Sequence, residues 1–214
     1  MSDLAARARR AERLGVLGGS FDPPHLGHLH VARAARASFR LDHVLFVPAA
    51  RNPHKPGRLI AGGAERAAML ELLLADLPWT SVWRIELDRP GPSYTVDTIE
   101  ALRAEVGEEV ELFLLLGSDN LEGLATWHRA AALLAAARPV LVPRAGDRPG
   151  GVLARLPRAL RERIAPGLVD VAPLDASATE IRDRLGRGDD PGPAFPAALR
   201  DYVAARGLYR GQEP

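Results

Sequence analysis

The stretch GGSFDPPHLGHLHVA, from Gly18 to Ala32, combines flexible backbone, rigid backbone and imidazole side chains in one short segment. Gly18 and Gly19 follow an apolar run, at a point where a strand ends and where backbone can approach a ligand closely. Pro23 and Pro24 lack backbone N–H groups and fix φ, which suits the start of a helix. The stretch therefore predicts a strand, a tight loop and a helix in succession.

Apolar runs rich in β-branched residues alternate with longer helical patterns along the rest of the chain. Strands that alternate with helices favour right-handed crossovers and a parallel sheet. We therefore expect an α/β fold: a doubly wound, Rossmann-like parallel sheet with helices on both faces and a small C-terminal helical part. Residues 13–214 are expected to form a single domain, and residues 1–12 a tail or a frayed helix. The predicted strands are Leu14–Leu17, His43–Val47, Val82–Leu87, Val110–Leu116, Val140–Val142 and Leu168–Val171, and the predicted helices are Leu26–Phe39, Glu65–Leu74, Thr95–Val106 and Ala130–Ala137.

The composition of the 214 residues is that of a globular protein, with 47% hydrophobic and 26% charged residues. A formal net charge of +1 gives no basic excess for nucleic acid or an anionic membrane. The absence of cysteine excludes disulfides, thiolate nucleophiles and cysteine-based zinc sites. No apolar stretch approaches the ~20 residues of a membrane span. We therefore expect no nucleic-acid or membrane partner and a cytoplasmic location.

His25 and His28 are the residues of the opening stretch that can carry chemistry. If the helix starts near Leu26, the two imidazoles lie one turn apart, beside free N–H groups and the positive end of the helix dipole. Each ring can donate a hydrogen bond to a phosphate, and a protonated ring adds charge. A metal site with His30 and a pair of surface histidines are the alternatives. Zinc helices usually space histidines by four with an adjacent acid, which is missing here.

The opening stretch matches neither the dinucleotide pattern G-x-G-x-x-G nor G-x-x-x-x-G-K-[ST]. GGSFDPPHLGH instead resembles the G-G-[ST]-F-D-P-x-H-x-G-H signature of the nucleotidylyltransferase superfamily. Within it, the chain is similar to the bacterial nicotinate-nucleotide adenylyltransferase family. Four further segments match in order, and so does the ending RGLYR; the four are NPHKP, PSYTVDT, LGSDNLEGLATWH and SATEIR. The resemblance runs from about Leu14 to Arg210.

This resemblance implies a reaction and a set of site residues. ATP and nicotinate mononucleotide would give nicotinate adenine dinucleotide and pyrophosphate by direct attack, with Mg²⁺ arriving on the ATP phosphates and water rather than at a protein metal site. His25, His28 and Arg182 would be catalytic. The ATP contacts implied are Gly18, Gly19, Ser20, Phe21, His25, His28, Gly117, Asp119, Arg144, Ser177, Thr179 and Arg182. The nicotinate mononucleotide contacts implied are Asp22, Lys55, Thr95, Trp127 and His128.

Several of these residues also have a purely structural interpretation. Ser177 and Glu180 stand at the spacing of a helix capping box. Asp22 could close an Asx-turn before the prolines, and Ser118 or Asp119 could cap a helix. Trp127 could belong to the core, since tryptophan is more often packed there than exposed as a ligand platform.

Other functions remain open at the level of the sequence. The nearest is an adenylyltransferase that prefers nicotinamide mononucleotide or accepts both mononucleotides. The phosphopantetheine adenylyltransferases resemble this chain less, because they usually have Thr in place of the first histidine and lack SATEIR. The non-enzymatic alternative is a nucleotide-sensing module without turnover. The sequence does not give the oligomeric state.

Overall fold

A parallel sheet lies at the centre of the protein, as the alternation of strands and helices predicts. The computed structural model describes residues 4–51, 60–144, 147, 149–154 and 156–210. Within these residues the sheet has five strands in the order β3-β2-β1-β4-β5, and every neighbouring pair is parallel. The strands are β1 (Arg13–Gly19), β2 (His43–Pro48), β3 (Thr80–Val82), β4 (Glu111–Gly117) and β5 (Arg138–Val142).

Helices connect the strands and cover both faces of the sheet, which confirms the predicted doubly wound fold. They are α1 (Leu26–Phe39), α2 (Gly63–Leu74), α3 (Ile85–Asp88), α4 (Thr95–Val106), α5 (Leu121–Leu124), α6 (Ala130–Ala136), α7 (Pro149–Ala154), α8 (Arg158–Ile164), α9 (Ala178–Arg187) and α10 (Ala197–Arg206). The bounds of α1 and α4 agree with the predicted ones. Helices α9 and α10 form the expected C-terminal helical part.

The period-2 alternation of the strands divides the core into two layers. On one face lie Val16, Leu45 and Leu114, packed with α4 and α6. On the other face lie Leu17, Phe46, Phe113 and Leu115, packed with α1 and α2. Strands β1, β2, β4 and β5 thus supply apolar side chains to both layers, which explains why β2 and β4 are near-continuous apolar runs in the sequence.

The segment before β1, for which a tail or a frayed helix is expected, contains one 3-10 turn, Ala8–Arg10. Leu4, Ala8 and Ala11 are buried in the layer that also contains α4.

Two predicted strands are wrong. Strand β3 ends at Val82, where the predicted strand begins, and Ile85–Asp88 is a helical turn. The alternation in VWRIEL does not continue a strand, because the chain leaves the sheet after the Trp83 N–H donates to the carbonyl of Phe46. Leu168–Val171 forms a single bridge to Leu141 rather than a strand.

The sheet opens between β1 and β4. Strand β1 pairs with β2 up to Gly19, but it pairs with β4 only as far as Val16. Strand order also reverses here, since β2 and β3 continue on one side of β1 and β4 and β5 on the other. Parallel sheets bind ligands in the crevice outside the carboxyl ends of strands at such a switch point. The fold therefore places the opening segment at the edge of a crevice.

Candidate functional site

A cleft of about 910 Å³ occupies the crevice where β1 and β4 diverge. Its walls come from the loop after β1, the start of α4, the end of β4 and the start of α9. The cleft is lined by the following residues of the predicted site: Gly18, Gly19, Ser20, Phe21, Asp22, His25, His28, Thr95, Gly117, Asp119, Trp127, Arg144, Ser177, Thr179 and Arg182. Residues predicted from distant parts of the sequence are thus brought together in one concave site.

His25 and His28 are built into the first turn of α1. His25 is the N-cap, and its Nδ1 accepts a hydrogen bond of 3.1 Å from the Gly27 N–H. His28 accepts one of 3.2 Å at Nδ1 from the His25 N–H. The two rings stack with their centroids 3.9 Å apart. A Cβ at Gly27 would lie 2.8 Å from the His25 ring, so glycine is required for this arrangement.

These hydrogen bonds determine the tautomer of each ring in its neutral form. A nitrogen that accepts from a backbone N–H carries no proton, so in each ring the proton lies on Nε2, which is then the donor. Burial and, secondarily, the positive charge of Arg144 lower the pKa of His25 to about 3. The lowered pKa favours the neutral form of His25 near pH 7, and the charge that a protonated ring would add beside a phosphate stays a prediction.

Phe21 shapes the floor of the loop after β1. It adopts a positive φ of 50° and is buried against Phe46 and the edge of the His28 ring. A Cβ at Gly19 would lie 3.1 Å from the Phe21 ring, whereas a Cβ at Gly18 would meet no atom within 4 Å. The lack of a side chain at Gly19 therefore gives room for the Phe21 ring. The lack of one at Gly18 leaves that side of the strand end open.

Asp22 is a buried carboxylate with three donors. Its oxygens accept from the Ile60 N–H at 2.8 Å, the Ala61 N–H at 3.1 Å and the Tyr209 hydroxyl at 2.6 Å. The Asx-turn interpretation is wrong, because the residue two positions on is Pro24, which has no N–H to donate. Contact of Asp22 with a mononucleotide stays a prediction.

Arg182 joins the start of α9 to this loop. Its Nη1 donates to the main-chain carbonyl of Asp22 at 2.6 Å, and its Nη2 donates to the Thr179 hydroxyl at 3.2 Å. Ser177 caps α9 by accepting from the Glu180 N–H at 3.4 Å, as the sequence predicts. The Glu180 side chain pairs instead with Arg184. The Arg182 guanidinium, the Thr179 hydroxyl and the N-terminus of α9 therefore form one wall of the cleft. This combination is suited to phosphate.

Gly117, Asp119 and Arg144 form another part of the cleft lining. Arg144 Nε lies 3.1 Å from Asp119 Oδ1, and a Cβ at Gly117 would lie 2.6 Å from that oxygen and 3.0 Å from that nitrogen. The glycine thus gives room for the ion pair. The predicted helix cap at Ser118 or Asp119 is wrong: the turn that follows has Gly117 at its N-cap and no side-chain cap. The Ser118 hydroxyl instead accepts from the Arg144 N–H at 2.9 Å.

The structure places some of the predicted pyridine-binding residues at the cleft and others away from it. Thr95 opens α4 and lines the cleft. Trp127 also lines the cleft while it packs partly against the core; its role as a stacking platform for the pyridine ring stays a prediction. His128 is exposed and does not line the cleft; its ring stacks on Tyr94 at a centroid distance of 4.3 Å. Lys55, with its neighbour His54, lies outside the described residues.

Sequence reasoning missed Glu86, which is buried at the cleft. The Thr98 hydroxyl donates to its carboxylate at 2.6 Å, and Ser93 also hydrogen bonds to it. Burial raises the pKa of Glu86 above its ordinary value, against these hydrogen bonds. The residue lies within the misassigned strand, so its inward direction was not predictable from alternation.

Arg66 and Tyr209 were also missed. Arg66 is 2% exposed and donates to the carbonyls of Ser20 and Ala61 at 2.6 and 3.1 Å. Arg66 could have been found in the sequence as an arginine within a strongly apolar helical pattern. Tyr209 could have been found because it lies in the ending RGLYR, which matches the family that the sequence resembles.

Among the described residues, no group of three or more histidine or carboxylate side chains is arranged to hold a metal ion. In the same part of the chain, each helix is too short or too polar to span a membrane.

Comparison with known proteins agrees with this geometry. A family model described as cytidylyltransferase-like matches residues 16–184. A relative from Roseiflexus sp. (strain RS-1), named "Probable nicotinate-nucleotide adenylyltransferase", is 42% identical over 200 residues, covering 92% of this chain and 98% of the relative. One of the same name from Bordetella petrii is 41% identical, covering 93% and 100%.

Solved structures show the same fold. The nicotinic acid mononucleotide adenylyltransferase of Plasmodium falciparum, complexed with NaAD, superposes with a TM-score of 0.72 at 18% identity. The match covers 92% of this chain and 97% of that one.

Proposed function

The chain belongs to the cytidylyltransferase-like family, and its relatives over nearly the whole length are named nicotinate-nucleotide adenylyltransferase. From this premise we propose that it transfers the adenylyl group of ATP to nicotinate mononucleotide, giving nicotinate adenine dinucleotide and pyrophosphate, a step of NAD biosynthesis. The observation that carries the proposal is the cleft at the switch point, where the N-termini of α1 and α9 and the Arg182 guanidinium meet.

The reaction is a single displacement at phosphorus. A phosphate oxygen of the mononucleotide attacks the α-phosphorus of ATP, and the bond from that phosphorus to the oxygen bridging to the β-phosphate breaks. The electron pair leaves with pyrophosphate, so no oxidant, reductant or covalent enzyme intermediate is needed. The work left to the protein is positioning and stabilisation of the charge that grows on the leaving group.

The donors around the cleft suit that charge. The Nε2–H groups of His25 and His28 and the guanidinium of Arg182 supply hydrogen bonds that strengthen as the pyrophosphate oxygens become more negative. His25 acts as a neutral donor in this scheme, since its pKa lies well below neutrality. The positive charge comes from the arginines and the helix N-termini. Mg²⁺ would be held by the ATP phosphates and water, and the Asp119–Arg144 wall would take the adenosine.

Recognition of the pyridine ring is proposed at the start of α4. A carboxylate accepts hydrogen bonds only, and the unpaired N–H groups at the helix start near Thr95 suit an anion. Trp127 offers a ring face on the same cleft. Glu86 also lines the cleft, and burial raises the pKa of its carboxyl group.

Measurement of pyrophosphate release tests the proposal. Purified protein is mixed with ATP and Mg²⁺ and with either nicotinate or nicotinamide mononucleotide, and reactions lacking one substrate serve as controls. We expect release that requires a mononucleotide and is much faster with nicotinate. Equal kcat/KM for the two would support the dual-specificity alternative. ATP binding without pyrophosphate release would indicate a nucleotide-sensing module.

A further inference from the structure

Tyr209, near the C-terminus, contacts the loop after β1 across 187 residues of sequence. Its hydroxyl donates to Asp22 Oδ1 at 2.6 Å, and the two residues are 3% and 5% exposed. Burial and the adjacent carboxylate raise the pKa of Tyr209 above its ordinary value, so the hydroxyl stays protonated and donates. Without this donor Asp22 Oδ1 would keep, among the described residues, only the hydrogen bond of 3.1 Å from the Ala61 N–H, so the buried carboxylate would be less well satisfied.

The loop that Tyr209 contacts is also held by Arg66. The buried guanidinium donates to the carbonyl of Ser20 at 2.6 Å and lies close enough to Asp22 for an electrostatic attraction. The Asp22 carboxylate in turn accepts from the backbone of Ile60 and Ala61. Side-chain donors thus fix both the Ser20 and the Asp22 ends of this loop, beside the cleft.

Arg182 depends on the same loop for its position. One of its nitrogens donates to the Asp22 carbonyl at 2.6 Å and the other to Thr179 at 3.2 Å. The peptide of Asp22 is therefore one of two supports of the guanidinium. A shift of that peptide moves the guanidinium relative to a phosphate in the cleft, and misplacement on the order of 1 Å can cost about 100-fold in rate.

We propose that Tyr209 is a positioning residue for the phosphate site: its hydroxyl fixes Asp22, and the main-chain carbonyl of Asp22 fixes the guanidinium of Arg182. This inference rests on the proposed function, since it assumes that Arg182 binds ATP phosphates. Tyr209 itself does not line the cleft. The C-terminal segment therefore contributes to the site through one hydrogen bond, in addition to its apolar packing.

The test is Tyr209→Phe, which removes one oxygen atom and keeps the ring among the apolar residues around α10. The buried bond is to a charged group, whose loss is among the larger hydrogen-bond effects. We expect kcat/KM for ATP to fall about tenfold, with the Kd for ATP rising in the same direction. Thermal unfolding establishes that each variant is folded at the assay temperature.

Tyr202→Phe is the matched control. The Tyr202 hydroxyl also donates to a carboxylate, that of Glu65, at 2.5 Å, and it also joins the C-terminal helices to α2. It contacts neither the loop after β1 nor Arg182. We expect Tyr202→Phe to leave kcat/KM for ATP within about twofold of the wild type. An equal loss in both variants would show that Tyr209 acts only through docking of the C-terminal segment.

A double-mutant cycle with Arg182→Lys distinguishes positioning from stability. Lysine has a single terminal nitrogen and cannot reproduce the planar fork that bonds both the Asp22 carbonyl and Thr179, so the geometry that Tyr209 is proposed to fix is already lost. In that background Tyr209→Phe should change the Kd for ATP less than about twofold. A full effect in both backgrounds would overturn the proposal.

The cycle is read on ATP affinity, by calorimetry, as well as on turnover. If the wild type binds ATP but releases no pyrophosphate with either mononucleotide, the proposed reaction fails while the cycle still decides the role of Tyr209. If the reaction proceeds and the cycle is additive, the proposed function stands and the positioning role fails.

Discussion

His25→Asn tests the assignment of His25 as a buried, neutral helix cap. The ring is 1% exposed, and its Nδ1 accepts from the Gly27 N–H at 3.1 Å. Asparagine is a favoured N-cap whose oxygen can accept the same bond, and it does not titrate near neutral pH. The substitution therefore removes the ionisable group and keeps the cap.

The sign of the pH effect follows from the lowered pKa, about 3 in the folded protein against about 6.5 in the unfolded chain. Below the higher value the unfolded state takes up a proton that the folded state does not. The stability conferred by neutral His25 is therefore fully present above about pH 6.5 and is lost as the pH falls toward about 3. At about 1.4 kcal/mol per pH unit, the loss between about pH 6.5 and 5.0 is roughly 2 kcal/mol.

Urea unfolding at about pH 7.5 and about pH 5.0 measures this loss. The pKa of His43 is also lowered, to about 4, so both histidines contribute to the pH dependence of the wild type's free energy of unfolding. The difference between wild type and His25→Asn isolates the first, because all other titrations cancel. We expect the variant to lose roughly 2 kcal/mol less than the wild type over this interval. The same pH dependence in both proteins would refute the neutral cap.

Three further substitutions probe the other walls of the cleft. Arg182→Lys keeps the charge but not the planar fork, so ATP titration should show weaker binding and turnover should be slower; unchanged affinity and rate would make Arg182 a surface residue of α9. Trp127→Ala should raise KM for the mononucleotide by the factor that corresponds to a lost stacking interaction of ~1–3 kcal/mol, with a smaller change in KM for ATP. Equal changes in the two KM values would remove Trp127 from the pyridine site. Glu86 has a raised pKa, so its contribution to stability is present at low pH and lost as the pH rises through that pKa. Urea unfolding should therefore show Glu86→Gln gaining on the wild type between about pH 4.5 and 7.5, and a constant difference would contradict the raised pKa.

The order of helices and strands was predictable because strands that are buried on both faces of the sheet appear in the sequence as short, near-continuous apolar runs. Strands β2 and β4 read as near-continuous apolar runs, and the start of α1 is set by a proline pair and a capping residue. Strand β3 was not predictable in the same way. It is a short edge strand with three half-buried residues, and its apolar neighbour Trp83 reaches the core from outside the sheet.

The cleft was predictable where its residues follow strand ends or helix starts, because parallel topology gathers those points at one edge. Gly18, Gly117 and Ser177 are of this kind. The buried network around Asp22 was not, since the partners that satisfy it come from Ile60, Ala61 and Tyr209. A sequence pattern gives spacing within a segment but not which distant donor fills a buried acceptor.

The charge state of His25 was the other feature that the sequence could not give. Two imidazoles beside a phosphate site suggest positive charge, yet burial and Arg144 favour the neutral form of His25. The consequence reaches the mechanism. In the proposed mechanism, a neutral Nε2–H would donate weakly to the ground-state triphosphate, and its bond would strengthen as charge accumulates on the leaving pyrophosphate. In the proposed mechanism, ground-state binding of the triphosphate is assigned to Arg182 and the helix N-termini.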